Sequence, residues 1–212
     1  MNLIKNLVVA VVLTGSAISL VHPTSAQQAS MPKIDPAIVE AYVAGTWKST
    51  SEAWRARVVQ DETQKTCTAT SNEPAGTLFD QIRDTEKATV VFPADGVVIG
   101  DWKRGAQVAQ RGTGGQFSDT DQTPRGGNCY ACHQMSKAEL SYGTLGPPLT
   151  GYGKDRKFDA AEARNAYSKV FNAMSVLPCS QMPRFGFHKF LTEQQIKDVV
   201  AYLFDPDSPV NK

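Results

Sequence analysis

Cys129-Tyr130-Ala131-Cys132-His133 is the stretch that decides how this chain is read. Two thiols separated by two residues reach the two vinyl groups of one porphyrin and become thioethers. The histidine that follows is held on one face as an axial iron ligand. The motif therefore predicts one covalently bound haem c and a fold that encloses it. A C-x-x-C pair also holds zinc or works as a redox dithiol. A histidine directly after the second cysteine, in a chain with export features, favours haem.

The motif lies late in the chain. Small cytochromes place it near the start of a domain of about a hundred residues, just after one helix. Asp101 is a good N-cap for such a helix over Trp102 to Gln110, and residues 112–127, rich in glycine with Pro124, read as the loop delivering the chain to the haem. This places a cytochrome domain at residues 95–206, a C-terminal tail at 207–212 and an N-terminal extension at 27–94. In the extension, Asp35-Pro36 starts a helix with Ile38, Val39, Tyr42 and Val43 on one face, and Trp47, Trp54, Val58 and Val59 add bulk that a disordered tail seldom carries. Thr89 to Phe92 is at most a short strand before a turn at Pro93 to Gly96. The expected fold class is mainly α: a cytochrome c-like helical domain wrapped around one haem, with the extension packed on it as a cover. A partner-binding arm is the alternative role for that extension.

Residues 1–26 read as a signal peptide. Lys5 is followed by an apolar run from Leu7 to Leu13, interrupted at Thr14, Gly15 and Ser16 and resumed to Val21, and Thr24-Ser25-Ala26 suits cleavage after Ala26. A membrane anchor is the rival, but the apolar stretch is short and broken. No later stretch is apolar for long enough to cross a bilayer, so the expectation is a soluble protein in an oxidising compartment, the periplasm in a bacterium. Removing Lys5 with the signal leaves 21 of the 22 basic side chains against 21 acidic ones. That balance argues against a basic nucleic-acid surface and a polybasic membrane surface.

The chain has four cysteines. With two committed to haem, Cys67 and Cys179 remain, and an oxidising compartment favours one bond between them over two separate thiols. Such a bond closes a loop worth on the order of 4–5 kcal/mol in the chain-entropy account. The sixth iron ligand decides between electron transfer and chemistry at the metal. Met135 lies too near His133 to reach the other haem face easily, Met174 continues an apolar helical stripe with Ala163, Tyr167, Val170 and Phe171, and His188 is solitary. Met182 is favoured because it sits in an irregular stretch before Pro183, which removes a backbone donor and disfavours helix. A thioether there raises the reduction potential and closes the iron to substrates, which suits one-electron transfer. Gly146-Pro147-Pro148-Leu149 reads as a rigid turn supporting the haem pocket, with the Pro147 carbonyl accepting the His133 Nδ1 proton. Thr192 to Gln195 is a capping box for a last helix with Ile196, Val199, Val200 and Leu203 on one face.

Gly100-Asp101-Trp102-Lys103, the segment Gly126 to Gln134, Ser141 to Pro147, Tyr152-Gly153-Lys154, Cys179 to Gly186 and Leu191 to Asp198, with the ending Asp205 to Asn211, resemble the SoxX family. SoxX proteins are the monohaem subunits of the SoxAX cytochrome complex of bacterial thiosulfate oxidation. The resemblance runs from about residue 92 to the end. It implies ligation by His133 and Met182, a periplasmic heterodimer with a SoxA-like dihaem or monohaem cytochrome, and acceptance of electrons released when thiosulfate is joined to the carrier cysteine of SoxYZ. A downstream electron acceptor is implied as well. The catalytic cysteine of that family is on SoxA, so no catalytic residue is expected here. Phe187-His188-Lys189-Phe190 is bulkier than the pattern. Two other readings differ in kind: a free-standing cytochrome c shuttle, and a haem enzyme or gas sensor with an open iron site.

Overall fold

The structure, a computed structural model, describes residues 34–46, 48, 58–116, 118–120 and 122–212. The expected signal peptide, Trp47 and Trp54 lie outside the described residues. Two compact units divide the chain between Arg55 and Ala56. Residues 56–94, grouped with the extension on sequence, thus share a unit with the haem motif. Among the described residues no helix is long and apolar enough to cross a membrane.

The described part of the first unit is helix α1, Pro36–Thr46. Asp35 Oδ1 accepts from the Ala37 amide at 2.9 Å, and Pro36 supplies a first-turn residue that needs no donor. Ile38, Val39 and Tyr42 are exposed, and no residue of α1 is buried. Of the face expected from sequence, Ile38, Val39 and Tyr42 are therefore exposed and Val43 is half-buried.

The second unit is built from α2 (Glu62–Ala69), α3 (Thr77–Lys87), α4 (Trp102–Gln110), a short α5 (Tyr152–Asp155), α6 (Ala160–Phe171) and α7 (Glu193–Phe204). Helices α2, α4, α6 and α7 are capped by the side chains of their own N-cap residues, whereas α3 and α5 start at Gly76 and Gly151 without such a bond. Asp61 and Gln64 form a capping box on α2, Asp101 accepts from the Arg104 amide, Asp159 accepts from those of Ala161 and Glu162, and Thr192 and Gln195 form the second box. Helix α7 is buried along most of its length and crosses α4 and α6; Tyr167, Ile196, Val200 and Tyr202 are among the most deeply buried side chains of the shared core.

The α4–α7 crossing is close because Gly105 faces α7 where any Cβ would run into the Asp198 carbonyl. Asp198, midway along α7 and buried, is the polar lock at that point. Its Oδ1 accepts from the Asp101 amide at 2.8 Å, Gln194 Nε2 at 2.8 Å and Arg104 Nη2 at 3.0 Å, while Oδ2 accepts from Arg104 Nε at 2.8 Å. Burial raises its pKa, but these bonds outweigh that and hold it below the usual carboxylate value.

Thr89 to Phe92 forms no strand; Phe92 stacks on Tyr167 at 5.4 Å, and the Tyr167 hydroxyl donates to the Val91 carbonyl at 3.2 Å. A side-chain contact replaces the ladder that an isolated strand lacks. Residues 207–212, set apart on sequence as a C-terminal tail, pack through Val210 into the main core. Pro209–Asn211 forms a 3-10 turn with Val210 1% exposed, and Asn211 accepts from the Gly153 and Lys154 amides and donates to the Leu203 and Asp205 carbonyls. Both hydrogen-bonding ends of one amide thus cap α5 and close the end of α7.

Candidate functional site

Cys129–Ala131 is one 3-10 turn, entered through Asn128 in the left-handed region at φ 45°. The Cys132 and His133 amides both donate to the Cys129 carbonyl, at 3.1 and 2.8 Å, so one turn presents two cysteines and the histidine in sequence. Gly126 and Gly127 hold this turn against α4. A Cβ on Gly126 would strike the Arg111 backbone, and the Gly127 amide donates to the Val108 carbonyl at 2.8 Å. Both cysteines are free, and burial pushes the Cys129 thiol up to about 12, so it is held as a neutral thiol. Among the described residues no group of three or more His, Cys, Asp or Glu side chains is placed to hold a metal ion.

His133 Nδ1 lies 2.7 Å from the Pro147 carbonyl. A carbonyl only accepts, so Nδ1 carries the proton and the lone pair is on Nε2, free to bind iron. The loop after the motif is fastened to it by backbone bonds: the Gly143 amide to the Tyr130 carbonyl at 2.8 Å, Gly146 to Cys132 at 2.8 Å and Leu149 to Gln134 at 2.7 Å. Gly143 and Gly146 make this approach sterically possible, since Cβ atoms there would meet the Ala131 carbonyl and the His133 ring.

Met182 lies in irregular chain between the Ala173–Ser175 turn and α7, partly buried against the main core. Met135 is 1% exposed and committed to that core. Met174 is also buried, but it is not on α6. That helix stops at Phe171, and the Asn172 side chain accepts from the Met174 amide at 3.1 Å to start the 3-10 turn instead. His188 is exposed. Cys129, Leu149, Met182 and Phe190 are among the partly buried residues packed against the main apolar cluster. The chemistry of the motif fits haem c: two free cysteines on one turn, followed by an imidazole whose Nδ1 is already committed.

Cys67 and Cys179 are joined by a disulfide, Cα atoms 5.4 Å apart. The bulky 187–190 segment has specific seats: Phe190 packs on Phe185 at 6.1 Å with the Arg125 guanidinium 5.7 Å from its ring, and Phe187 carries that of Arg184 at 4.3 Å. Two groups near the motif escape a sequence reading. Tyr130 shares a hydrogen bond of 2.9 Å with Tyr202, a pairing no local pattern announces. Glu139 accepts from the Met135 and Ser136 amides, both at 2.9 Å; here the Ser136-x-x-Glu139 spacing was a usable signal.

The cytochrome c family model matches residues 101–205, from the cap of α4 to the residue after α7. The chain is also 37% identical, over 169 residues, to an uncharacterized lipoprotein of Aquifex aeolicus (strain VF5), covering 78% of this chain and 80% of the relative. Helical architecture, haem-attachment motif and family match agree, and the chain belongs to the cytochrome c family, extracytoplasmic electron carriers with covalently bound haem c.

Proposed function

We propose that this chain is a periplasmic monohaem cytochrome of the SoxX kind, the electron-accepting subunit of a SoxAX-type complex. Cys129 and Cys132 would hold the porphyrin as thioethers, and His133 and Met182 would bind the iron. The observation that carries the ligation is the 2.7 Å contact of His133 Nδ1 with Pro147, which fixes the tautomer and leaves Nε2 unprotonated. Pro147 orients the ring and Leu149 shelters it. Met182 would be the second protein donor to the iron, and a thioether there would favour the ferrous state. The haem supplies a one-electron ferric/ferrous couple. The carry-over to thiosulfate oxidation rests on the motifs quoted above. In that reaction a carrier thiol and thiosulfate join through a new S–S bond, releasing one proton and two electrons. The SoxA-like partner performs the bond chemistry, and this chain takes the electrons singly and passes them to a downstream acceptor.

The test is to isolate the exported protein from its host under conditions that keep weak complexes. Acidic organic extraction should leave the pigment on the polypeptide, the ferric protein should be low-spin with a sulfur-to-iron charge-transfer band, and a second c-type cytochrome should co-purify. Met182→Ala should open the iron to cyanide. Met182→His should keep six-coordination, lower the potential and slow electron transfer from thiosulfate plus SoxYZ. Extractable haem or a bis-histidine spectrum refutes the site. A cytochrome that purifies alone, and is not reduced by thiosulfate with SoxA and SoxYZ, refutes the complex and leaves a free-standing electron carrier.

A further inference from the structure

The Met182 loop is fastened on both sides of the methionine. Three residues before it, Cys179 is bonded to Cys67 of α2 across a sequence separation of 112. Two residues after it, the Arg184 side chain is only 3% exposed. Its Nη1 lies 3.4 Å from Glu86 Oε2 on α3, and Nη2 donates to Asp61, the N-cap of α2. Glu86 is equally sheltered and also accepts from Asn172 Nδ2 at 2.6 Å and from the Thr63 hydroxyl at 2.5 Å. Burial raises the Asp61 pKa, but the Arg184 bond, the Gln64 amide and the charges of Arg184 and His188 outweigh it and hold it low. Cys67, Met182 and Arg184 line one cavity of about 430 Å³.

A buried arginine held by two carboxylates is a poor way to add stability, because desolvation offsets most of the attraction. It is an effective way to select one geometry, because each displaced loop position leaves charge unpaired. We infer that Arg184 and Glu86 are positioning residues. With the Cys67–Cys179 bond they make residues 58–92 a clamp on the Met182 loop, and this clamp sets how often the thioether swings away from its seat. The inference rests on the reading of Met182 as sixth ligand, and it assigns that part of the N-terminal extension a task in tuning the site.

The test uses the haem-loaded, oxidised full chain. Glu86→Gln keeps the shape and removes the charge that Arg184 faces; Arg184→Lys keeps the charge and removes the fork. Asp198→Asn is the control, since it neutralises a comparably buried carboxylate at the α4–α7 crossing. Sulfur-to-iron band intensity and cyanide association are read far below the unfolding transition, beside the urea midpoint of each variant. Glu86→Gln and Arg184→Lys should weaken the band and speed cyanide association about tenfold, as follows if the open-loop population rises from about 1% to about 10%. Asp198→Asn should lower the urea midpoint without either change. If band and cyanide rate in the two clamp variants match the control at equal loss of stability, the clamp is overturned while Met182 ligation stands. A wild-type protein without the band removes both. Should Arg184→Lys fail to fold, Glu86→Gln alone decides.

Discussion

Arg104–Asp198 and Arg184–Glu86 each set an arginine against a carboxylate inside the same helical unit, and they differ in where water is. The Arg104 side chain is 57% exposed and reaches inward to an Asp198 that is 4% exposed, so its charge stays partly hydrated. Arg184 and Glu86 are both sealed, at 3% and 5%. The surroundings differ too. The α4–α7 crossing is already fixed by a large apolar core, whereas the seam under α2 and α3 holds little more than Cys67, Leu78, Ile82 and Cys179. Where apolar area is plentiful, an ion pair refines a packing that exists without it. Where it is scarce, the covalent bond and the cost of leaving a buried charge unpaired fix the junction.

The largest effect expected from this contrast is at Arg184. Arg184→Leu leaves Glu86 buried without its cation and should cost about 3–5 kcal/mol, read from urea unfolding of the oxidised protein with haem attached. Arg104→Leu should cost less, because Asp198 keeps its bonds from the Asp101 amide and Gln194. Equal losses would break the comparison. Next comes the covalent half of the same seam. Replacing both Cys67 and Cys179 by Ser should cost about 2–4 kcal/mol. Limited proteolysis should then cut within residues 58–92 before the α4–α7 core opens. Simultaneous loss of both regions would show that the seam is no weaker than the core.

The same contrast explains what was legible in the sequence. Helices α4, α6 and α7 bury apolar residues at helical spacing behind Asp and Thr caps, and each is visible in the order of residues alone. Helix α2 buries only Cys67, so periodicity had nothing to register there; α3 sets Leu78, Phe79 and Ile82 at helical spacing on its sheltered side, a usable signal that the reading of the sequence passed over. The Asp61-x-x-Gln64 box was a usable start signal for α2. At the site, spacing identifies the motif and the His133–Pro147 contact is foreseeable, because both lie in short, rigid pieces of chain. The Arg184 cluster is not foreseeable. Its partners are 98 and 123 residues away, and no local pattern encodes which buried arginine meets which carboxylate.

A third test sharpens the core side of the contrast. Gly105→Ala places a methyl group against the Asp198 carbonyl, and the helices must separate to admit it. The expected loss is about 1–3 kcal/mol, in the range of overpacked cores, read from the urea midpoint. Gly45→Ala on α1, where a Cβ meets nothing, should be neutral or slightly stabilising. A neutral result at Gly105 would mean that α4 and α7 are not held at contact distance, and Asp198 would then be a principal support of the crossing.

The smallest effect is in acid, where the two clusters separate by their response to salt. Asp198 and Asp61 both have pKa values held below the ordinary carboxylate value, in each case because hydrogen bonds from arginine and backbone outweigh the opposing effect of burial. For a lowered carboxylate the unfolded chain binds the proton first as pH falls. The stabilisation is therefore complete above the unfolded value of about 3.9 and is lost as pH drops through the folded one. The urea midpoint of the wild-type protein should thus decline on acidification below about pH 5. Asp198→Asn and Asp61→Asn should each make that decline shallower. Asp61 is 37% exposed against 4% for Asp198, so its share should shrink in about 1 M salt, where the screening length falls to about 3 Å, while the share of Asp198 persists. The difference between wild type and Asp61→Asn should therefore narrow with added salt, and that between wild type and Asp198→Asn should stay. Identical narrowing in both would mean that water reaches the two carboxylates alike, and exposure would no longer separate the clusters.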